Sequence, residues 1–351
     1  MASVKTSLSI LACILGSLVT VHSVSAQDSS GPVIGANGPL SVESADGDYS
    51  IKLGGRIHWD YNRAEENDVV DEDAFDIRRA RLYISGDIQD WGYKLQFNVG
   101  NNNGGTPEDV YIRYNGLSNG MRVTIGRQKE PFGLNQLNSS NDIVFLERSA
   151  SDEAYAPARS DGVQLNGSSG NTVYALGVFE DDADTSTFAL TGRVASAVVR
   201  NDDMLVHLGL GHTSRGADIS STAFEAAMVS GPLHLQGEYY SSDNAGTDLS
   251  SHYLQAGWFL TGDSRPYSGG TFGRVKPNQA SGAWEIALRY ESGDGNFSDL
   301  ELGNTDATSV GVALNWYINN FSRFGINYTT GEDNTGNDTG SEIRARIQVA
   351  L

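Results

Sequence analysis

Ile51-Lys52-Leu53-Gly54-Gly55-Arg56-Ile57-His58-Trp59-Asp60-Tyr61 alternates without a break. Its odd positions carry Ile51, Leu53, Ile57, Trp59 and Tyr61; its even positions carry Lys52, Arg56, His58 and Asp60. A period of two puts the two sets on opposite faces of a β-strand. One face is apolar and ends in two aromatic rings. The other is polar and partly cationic. The same alternation recurs downstream. Ala80, Leu82 and Ile84 oppose Arg79, Arg81 and Tyr83, and Tyr93, Leu95 and Phe97 oppose Lys94, Gln96 and Asn98. Val110, Ile112 and Tyr114 oppose Tyr111 and Arg113, and Val123 and Ile125 oppose Arg122 and Thr124. After a long interruption, strands are expected near 160–167, 171–180, 186–199, 203–212, 222–230, 232–241, 250–261, 283–292, 306–318, 321–330 and 341–350. The total is about sixteen, within the range of outer-membrane barrels.

The connections alternate as well. Short turns at 86–90, 116–120, 167–171, 200–202, 230–232 and 319–320 exchange with longer acidic or Gly/Asn-rich loops at 62–74, 180–185, 292–305 and 331–341. Short turns on one side and long loops on the other mark a transmembrane barrel. One connection, 262–282, is long although it falls on the short-turn side. Segment 127–160 is the third long loop, and its Ile143-Val144-Phe145-Leu146 cluster is unsuited to water. It is therefore expected to fold into the barrel and narrow it. Trp59, Tyr61, Tyr93, Tyr114, Trp258, Trp284, Trp316, Phe321 and Tyr328 stand near the ends of apolar faces, where interfacial girdles form. The expected fold class is all-β: a transmembrane antiparallel β-barrel of about sixteen strands with the third loop in the pore. A secreted adhesin or lectin sandwich is the soluble alternative.

Residues 1–26 read as a secretory signal peptide, with Lys5, an apolar run from Leu8 to Val21 and the small-residue site Val24-Ser25-Ala26. That run is shorter than the ~20 residues a spanning helix needs. Residues 27–47 are then a short periplasmic segment and 48–351 the barrel domain. The single Cys, Cys13, allows no intramolecular disulfide and no thiolate metal cluster. A net charge of -20 argues against a nucleic-acid partner. A hydrophobic content of 39% suits a barrel in which every second residue faces lipid.

Strand parity sorts the charges. Lys52, Arg56, Arg79, Arg81, Lys94, Arg113 and Arg122 fall on the lumen face of the first five strands, and Arg323, Arg344 and Arg346 on that of the last two. Closure of the barrel would join these ten into one basic ladder; Arg193 and Arg289 also face inward. Glu225, Glu238 and Glu285 fall on the opposite wall, which implies a transverse field. Arg127, Lys129, Arg148 and Arg159, in or beside the third loop, are constriction candidates. Rings of Arg or Lys select anions in pores, and the guanidinium fork suits phosphate or carboxylate. Small phosphate-like anions in transit are the expected partners. Two other readings compete: arginines that merely brace the wall, and a general or cation-preferring porin whose acidic mouths attract cations. His58, His207, His212, His234 and His252 stand in no nucleophile or zinc spacing. No catalytic residue, metal site or cofactor is expected; an outer-membrane hydrolase is the enzyme alternative.

From about residue 50 to the C-terminus the chain resembles the phosphate-selective porin family of Gram-negative outer membranes, the O and P porins. The resemblance is carried by Phe75-Asp76-Ile77-Arg78-Arg79-Ala80-Arg81-Leu82, Asp90-Trp91-Gly92-Tyr93-Lys94-Leu95 and Gly126-Arg127 with Pro131-Phe132-Gly133-Leu134. Trp258 to Tyr267, Phe272 to Pro277, Gly282 to Tyr290 and Leu314 to Tyr317 continue it. It implies a homotrimeric channel among the lipid and lipopolysaccharide of the outer membrane, an in-folded third loop and an arginine-lined anion path. It also suggests phosphate or polyphosphate as the solute. The best-known members place lysines at the narrowest point, whereas here only Lys129 lies near the third loop.

Overall fold

The computed structural model describes residues 32–35, 38–66, 69–100, 105–181, 184–216, 219–294, 307–333 and 338–351. The leader assigned to 1–26 and most of loop 292–305 lie outside the described residues, as do parts of 180–185 and 331–341. The described residues form sixteen barrel strands. They are β1 (Tyr49–Glu66), β2 (Val69–Ile88), β3 (Trp91–Asn98), β4 (Thr106–Tyr114), β5 (Arg122–Lys129), β6 (Arg159–Ser169), β7 (Thr172–Asp181) and β8 (Asp184–Arg200). The circle continues through β9 (Leu205–Arg215), β10 (Ile219–Ser230), β11 (Leu233–Asn244), β12 (Thr247–Phe259), β13 (Ala283–Gly293), β14 (Ala307–Tyr317), β15 (Ser322–Asp333) and β16 (Asp338–Ala350). Each strand pairs with its neighbour in sequence, and β16 closes on β1 from Ser341 opposite Glu65 to Ala350 opposite Arg56. Closure leaves no unpaired edge in hydrocarbon, where each unsatisfied backbone group would cost several kcal/mol.

Alternation places the outward face as expected: Ile57, Leu82, Leu254 and Leu288 are exposed, whereas Ala189, Ala223, Ala287 and Ala313 are buried on the inner face. Ring pairs mark the strand ends, including Trp91–Tyr114 with centroids 4.9 Å apart and the stacked Trp284–Trp316 at 5.4 Å. An N-terminal hairpin (Val33–Gly35 and Leu40–Glu43) adds to the sheet, with Leu40–Glu43 paired to Ser50–Leu53 of β1 just beyond the end of β16.

Two connections depart from the sequence expectation: 62–74, and 331–341, where strand runs to Asp333 and resumes at Asp338. Residues 62–74 are mainly an extension of the β1–β2 hairpin rather than a loop. The acids there have cross-strand partners: Asn62 donates to Glu72 at 2.5 Å, and Arg63 lies 3.6 Å from Asp73. Read singly these side chains suggest a solvated loop. As pairs they support a ladder.

Loop 3, residues 130–158, runs through the lumen as expected. It contains the short helices α1 (Leu134–Leu137) and α2 (Ala150–Tyr155). Ile143, Val144, Phe145 and Leu146 are each no more than 2% exposed. Their berth is a strip of small residues on the far wall, where Val144 and Phe145 pack on Ala287 and Ala313. A Cβ at Gly311 would come within 2.8 Å of the Phe145 ring, and one at Gly325 within 2.9 Å of Leu146. Gly311→Val is therefore expected to undock loop 3 while the barrel still folds. Single-channel conductance should rise; unchanged conductance would show that the berth does not hold the loop.

The long periplasmic-side connection also folds into the lumen. It forms a small hairpin (Tyr267–Ser268 with Thr271–Phe272). The Tyr267 hydroxyl lies 2.7 Å from His207 Nδ1, and the Phe272 amide donates to Asn138 of loop 3 at 2.9 Å. The two inserted segments thus meet and fill the lumen beside β9–β14.

Candidate functional site: a basic slot beside loop 3

Opposite that filled half, loop 3 leaves a cavity of about 320 Å³ against the first strands. Arg56 of β1, Arg79 and Arg81 of β2 and Lys94 of β3 line one side, with Tyr111 and Gln128. Leu137, Ser139, Ser140 and Arg148 of loop 3 line the other, and Lys129 and Arg159 come from its two ends. Seven cations therefore surround one space, with Asp109 as the carboxylate in its lining.

Each cation is held in place. Asp109 accepts from Lys94 at 2.5 Å and from Arg159 at 2.6 Å. Glu108 pairs with Arg81, and with Arg159 at 3.0 Å. Arg56 donates to Ser140 Oγ at 2.8 Å and to Asn141 Oδ1 at 3.3 Å. Lys129 and Arg148 converge on the carbonyls that end α1: both donate to Asn138 O, at 3.0 Å and 3.1 Å. Their partners there are neutral carbonyls, although Arg148 also lies 3.5 Å from Asp152 and 3.7 Å from Glu153.

Loop 3 hangs on a second group of cations. Glu147 sits among four arginines: Arg79 at 2.8 Å, Arg346 at 2.5 Å, Arg78 at 3.2 Å and Arg344 at 3.3 Å. Burial pushes the Glu147 carboxyl up, but Arg79, with Arg346 and Arg78, outweighs burial and holds it well below the ordinary range. Arg346 also grips Asp60 with two bonds of 2.7 Å and 2.6 Å. Arg323 donates to the carbonyls of Ile143, at 2.6 Å, and of Val144. Arg289 donates to Glu147 O at 3.1 Å and lies 4.2 Å from the centre of the Phe145 ring.

The expected ladder thus divides. Arg56, Arg79, Arg81 and Lys94 line the slot. Arg323, Arg344 and Arg346 face inward as expected, but they clamp loop 3 and do not extend the slot wall. Lys52, Arg113 and Arg122 lie on the same strands nearer the short turns, outside the cavity. Of the constriction candidates, Lys129, Arg148 and Arg159 line the cavity. Arg127 does not: β5 continues through it, its side chain faces outward, and it pairs with Asp161 at 3.2 Å.

The opposite acids do not form a free wall. Glu225 is bound by Arg193 at 2.7 Å and 2.6 Å, and its other neighbour His207 lies at 3.0 Å. Glu238 accepts the amides of Leu134 and Asn135 at 2.6 Å and 2.8 Å. Glu285 accepts from Asn315 and Tyr317, both at 2.7 Å. All three are buried beneath the inserted segments, so the transverse field expected from parity loses its acidic side.

Asp152 on α2 is expected to make docking pH-dependent. Its carboxylate accepts from the Tyr240 hydroxyl at 3.0 Å and lies 3.5 Å from Arg148. Burial pushes it up to about 7 against the pull of Arg148. The docked loop then keeps a proton that an undocked Asp152 would release from about pH 4 upward. Docking should be tightest below that range and weaken as pH rises through 7. Protease cleavage within loop 3 should be faster at pH 8 than at pH 5, and Asp152→Asn should remove the difference.

A closed sixteen-strand barrel, aromatic rings at its strand ends and a charged slot made by an inserted loop define a diffusion channel of an outer membrane. The family model described as phosphate-selective porin O and P matches residues 51–212 and 201–351. Porin O of Pseudomonas aeruginosa is 27% identical over 407 aligned positions, covering 91% of this chain and 92% of that protein. Among solved structures, the anion-selective porin from Comamonas acidovorans aligns with a TM-score of 0.61 at 15% identity, over 87% of this chain and 100% of the other. OmpT of Vibrio cholerae gives 0.60 at 11% identity, over 87% and 98%. At these identities the structures speak for the fold alone. The chain belongs to the phosphate-selective porin O and P family and is a porin of the Gram-negative outer membrane.

Proposed function

We propose that this porin forms an aqueous channel for passive diffusion of small anions, with phosphate-like oxyanions as the preferred solutes, and that it works as a homotrimer among outer-membrane lipid and lipopolysaccharide. The observation that carries the anion reading is the slot itself: seven cations around about 320 Å³, three of them held by neutral oxygens or only loosely by acids. Cationic rings of this kind repel cations and lower the cost of stripping water from an oxyanion. The description of the family supports phosphate as the solute class. The test is the reversal potential of single channels in a KCl gradient, followed by addition of phosphate. An anion-favouring potential with phosphate block is expected. A cation-favouring potential would overturn the proposal. Anion preference without block would remove phosphate and leave the anion channel.

A further inference from the structure

Glu147 is offered more donors than a carboxylate can take. Arg79 reaches it with a fork, at 3.0 Å to Oε1 and 2.8 Å to Oε2. Arg346 and Arg344 add contacts to Oε1 at 2.5 Å and 3.3 Å, and Arg78 adds one to Oε2 at 3.2 Å. Five guanidinium nitrogens thus meet two oxygens, which offer about four lone-pair positions. The charges are unequal too. The four arginines are bonded to two other acids: Asp60, gripped by Arg346, and Glu342, which accepts from Arg344 at 2.8 Å and 3.0 Å. With the Glu147 side chain withdrawn, two positive charges would stand uncompensated, matching one hydrogen phosphate or sulfate dianion. The cluster is also reachable. The Arg78 side chain is 42% exposed and that of Glu147 23%. It adjoins the slot on the long-loop side, because Arg79 belongs to both, whereas Arg81 and Lys94 lie further toward the short turns.

We infer that Arg78, Arg79, Arg344 and Arg346 form an oxyanion seat on the barrel wall, and that Glu147 is its tethered occupant, displaced by a dianionic solute. The guanidinium fork takes carboxylate and phosphate in the same geometry, so the carboxylate of loop 3 stands in for the solute. A tetrahedral dianion brings a second charge and two more oxygens to the same donors. Chloride brings neither. Displacement frees only this side chain, since Arg346 still donates to Leu146 O and Arg289 to Glu147 O. Loop 3 is therefore loosened where it crosses to the β16–β1 seam and is not expelled. The solute thus loosens the segment that narrows its own path. The inference rests on the anion reading above and adds a second site for the same class of solute, with a response of the loop to it.

The test is limited proteolysis within loop 3 of the full-length porin in detergent, at one pH and fixed ionic strength, with chloride exchanged for sulfate or phosphate. An unrelated protein cut under the same salts corrects for effects on the protease. In the wild type, dianions should speed cutting several-fold over chloride. Glu147→Gln, whose seat lacks its tethered charge, should be cut faster than wild type in chloride and be slowed by the same dianions. Opposite signs are the signature of a displaced occupant. Arg78→Gln leaves the three deeper arginines in place and keeps the test open should Glu147→Gln not fold. It should raise several-fold the dianion concentration that gives half the wild-type effect. A wild-type loop that dianions slow or leave unchanged would overturn the displacement. A Glu147→Gln loop indifferent to them would overturn the seat. The reversal potential keeps this inference apart from the anion reading. Anion preference with no dianion response sinks the seat alone, whereas cation preference with responses of opposite sign sinks the anion channel and leaves the seat.

Discussion

Arg79→Gln together with Arg81→Gln is expected to carry the reversal potential of this channel from the anion side toward the cation side. Both guanidiniums line the slot, and each also neutralises an acid that stays behind. Arg81 pairs with Glu108, and Arg79 lies 2.8 Å from Glu147. The double change removes two positive charges and leaves carboxylates partly uncompensated beside the path. At the spacing of a solute in the slot, each charge is worth about 1–3 kcal/mol between water-like and protein-like screening. The permeability ratio of anion to cation should therefore fall about tenfold or more. Lys52→Gln, outside the cavity on the same wall, is the control and should have little effect. A double variant with wild-type reversal potential would show that ions travel elsewhere.

Glu147→Gln should act on the loop first and on ions second. Glu147 is shared by four arginines of β2 and β16, and it is the point where loop 3 crosses to the closing seam. Removing one partner from a largely buried ionic cluster costs about 3–5 kcal/mol, because the remaining charges lose their compensation. The arginines can recover this by taking up a mobile anion. The expected phenotype is a loop that is cut faster by protease and a conductance that is larger and noisier at low phosphate. Millimolar phosphate or sulfate should quieten the channel and slow the cutting. A conductance trace unaffected by the substitution at any anion concentration would show that Glu147 does not set the bore.

Much of this was legible in the sequence because strand parity is a local property. The alternation in 51–61 fixes which way Arg56 and His58 point, and the same rule places Arg79, Arg81 and Lys94 on the inner wall. Parity fails where a bulge inserts a residue. Glu108 and Asp109 together oppose Gln96, so two adjacent acids both turn inward and anchor Arg81, Lys94 and Arg159. A similar shift between β1 and β2 brings Arg78 as well as Arg79 to Glu147. Parity is also silent about what covers an inward side chain. Arg323, Arg346 and Glu238 face the lumen as expected, but their roles follow from a loop 104 to 200 residues away in sequence. The Ile143 to Leu146 cluster announced that loop 3 would be buried. Its berth at Gly311 and Gly325 had no such signal, since a glycine in a strand pattern can equally mark a turn or a bulge.

The meeting of loop 3 with the hairpin at 267–272 separates two properties along the length of the chain. Residues before about 160 supply the charged surface that a passing ion touches. Residues after about 190 supply the apolar berth of loop 3, while its ionic anchor Glu147 is shared between Arg78 and Arg79 of β2 and the arginines of β16. A substitution in the later half can therefore widen or tighten the bore without changing the sign of the ions it admits. Solute preference and throughput are then free to drift independently among relatives of this chain, with each half retuned while the other is kept.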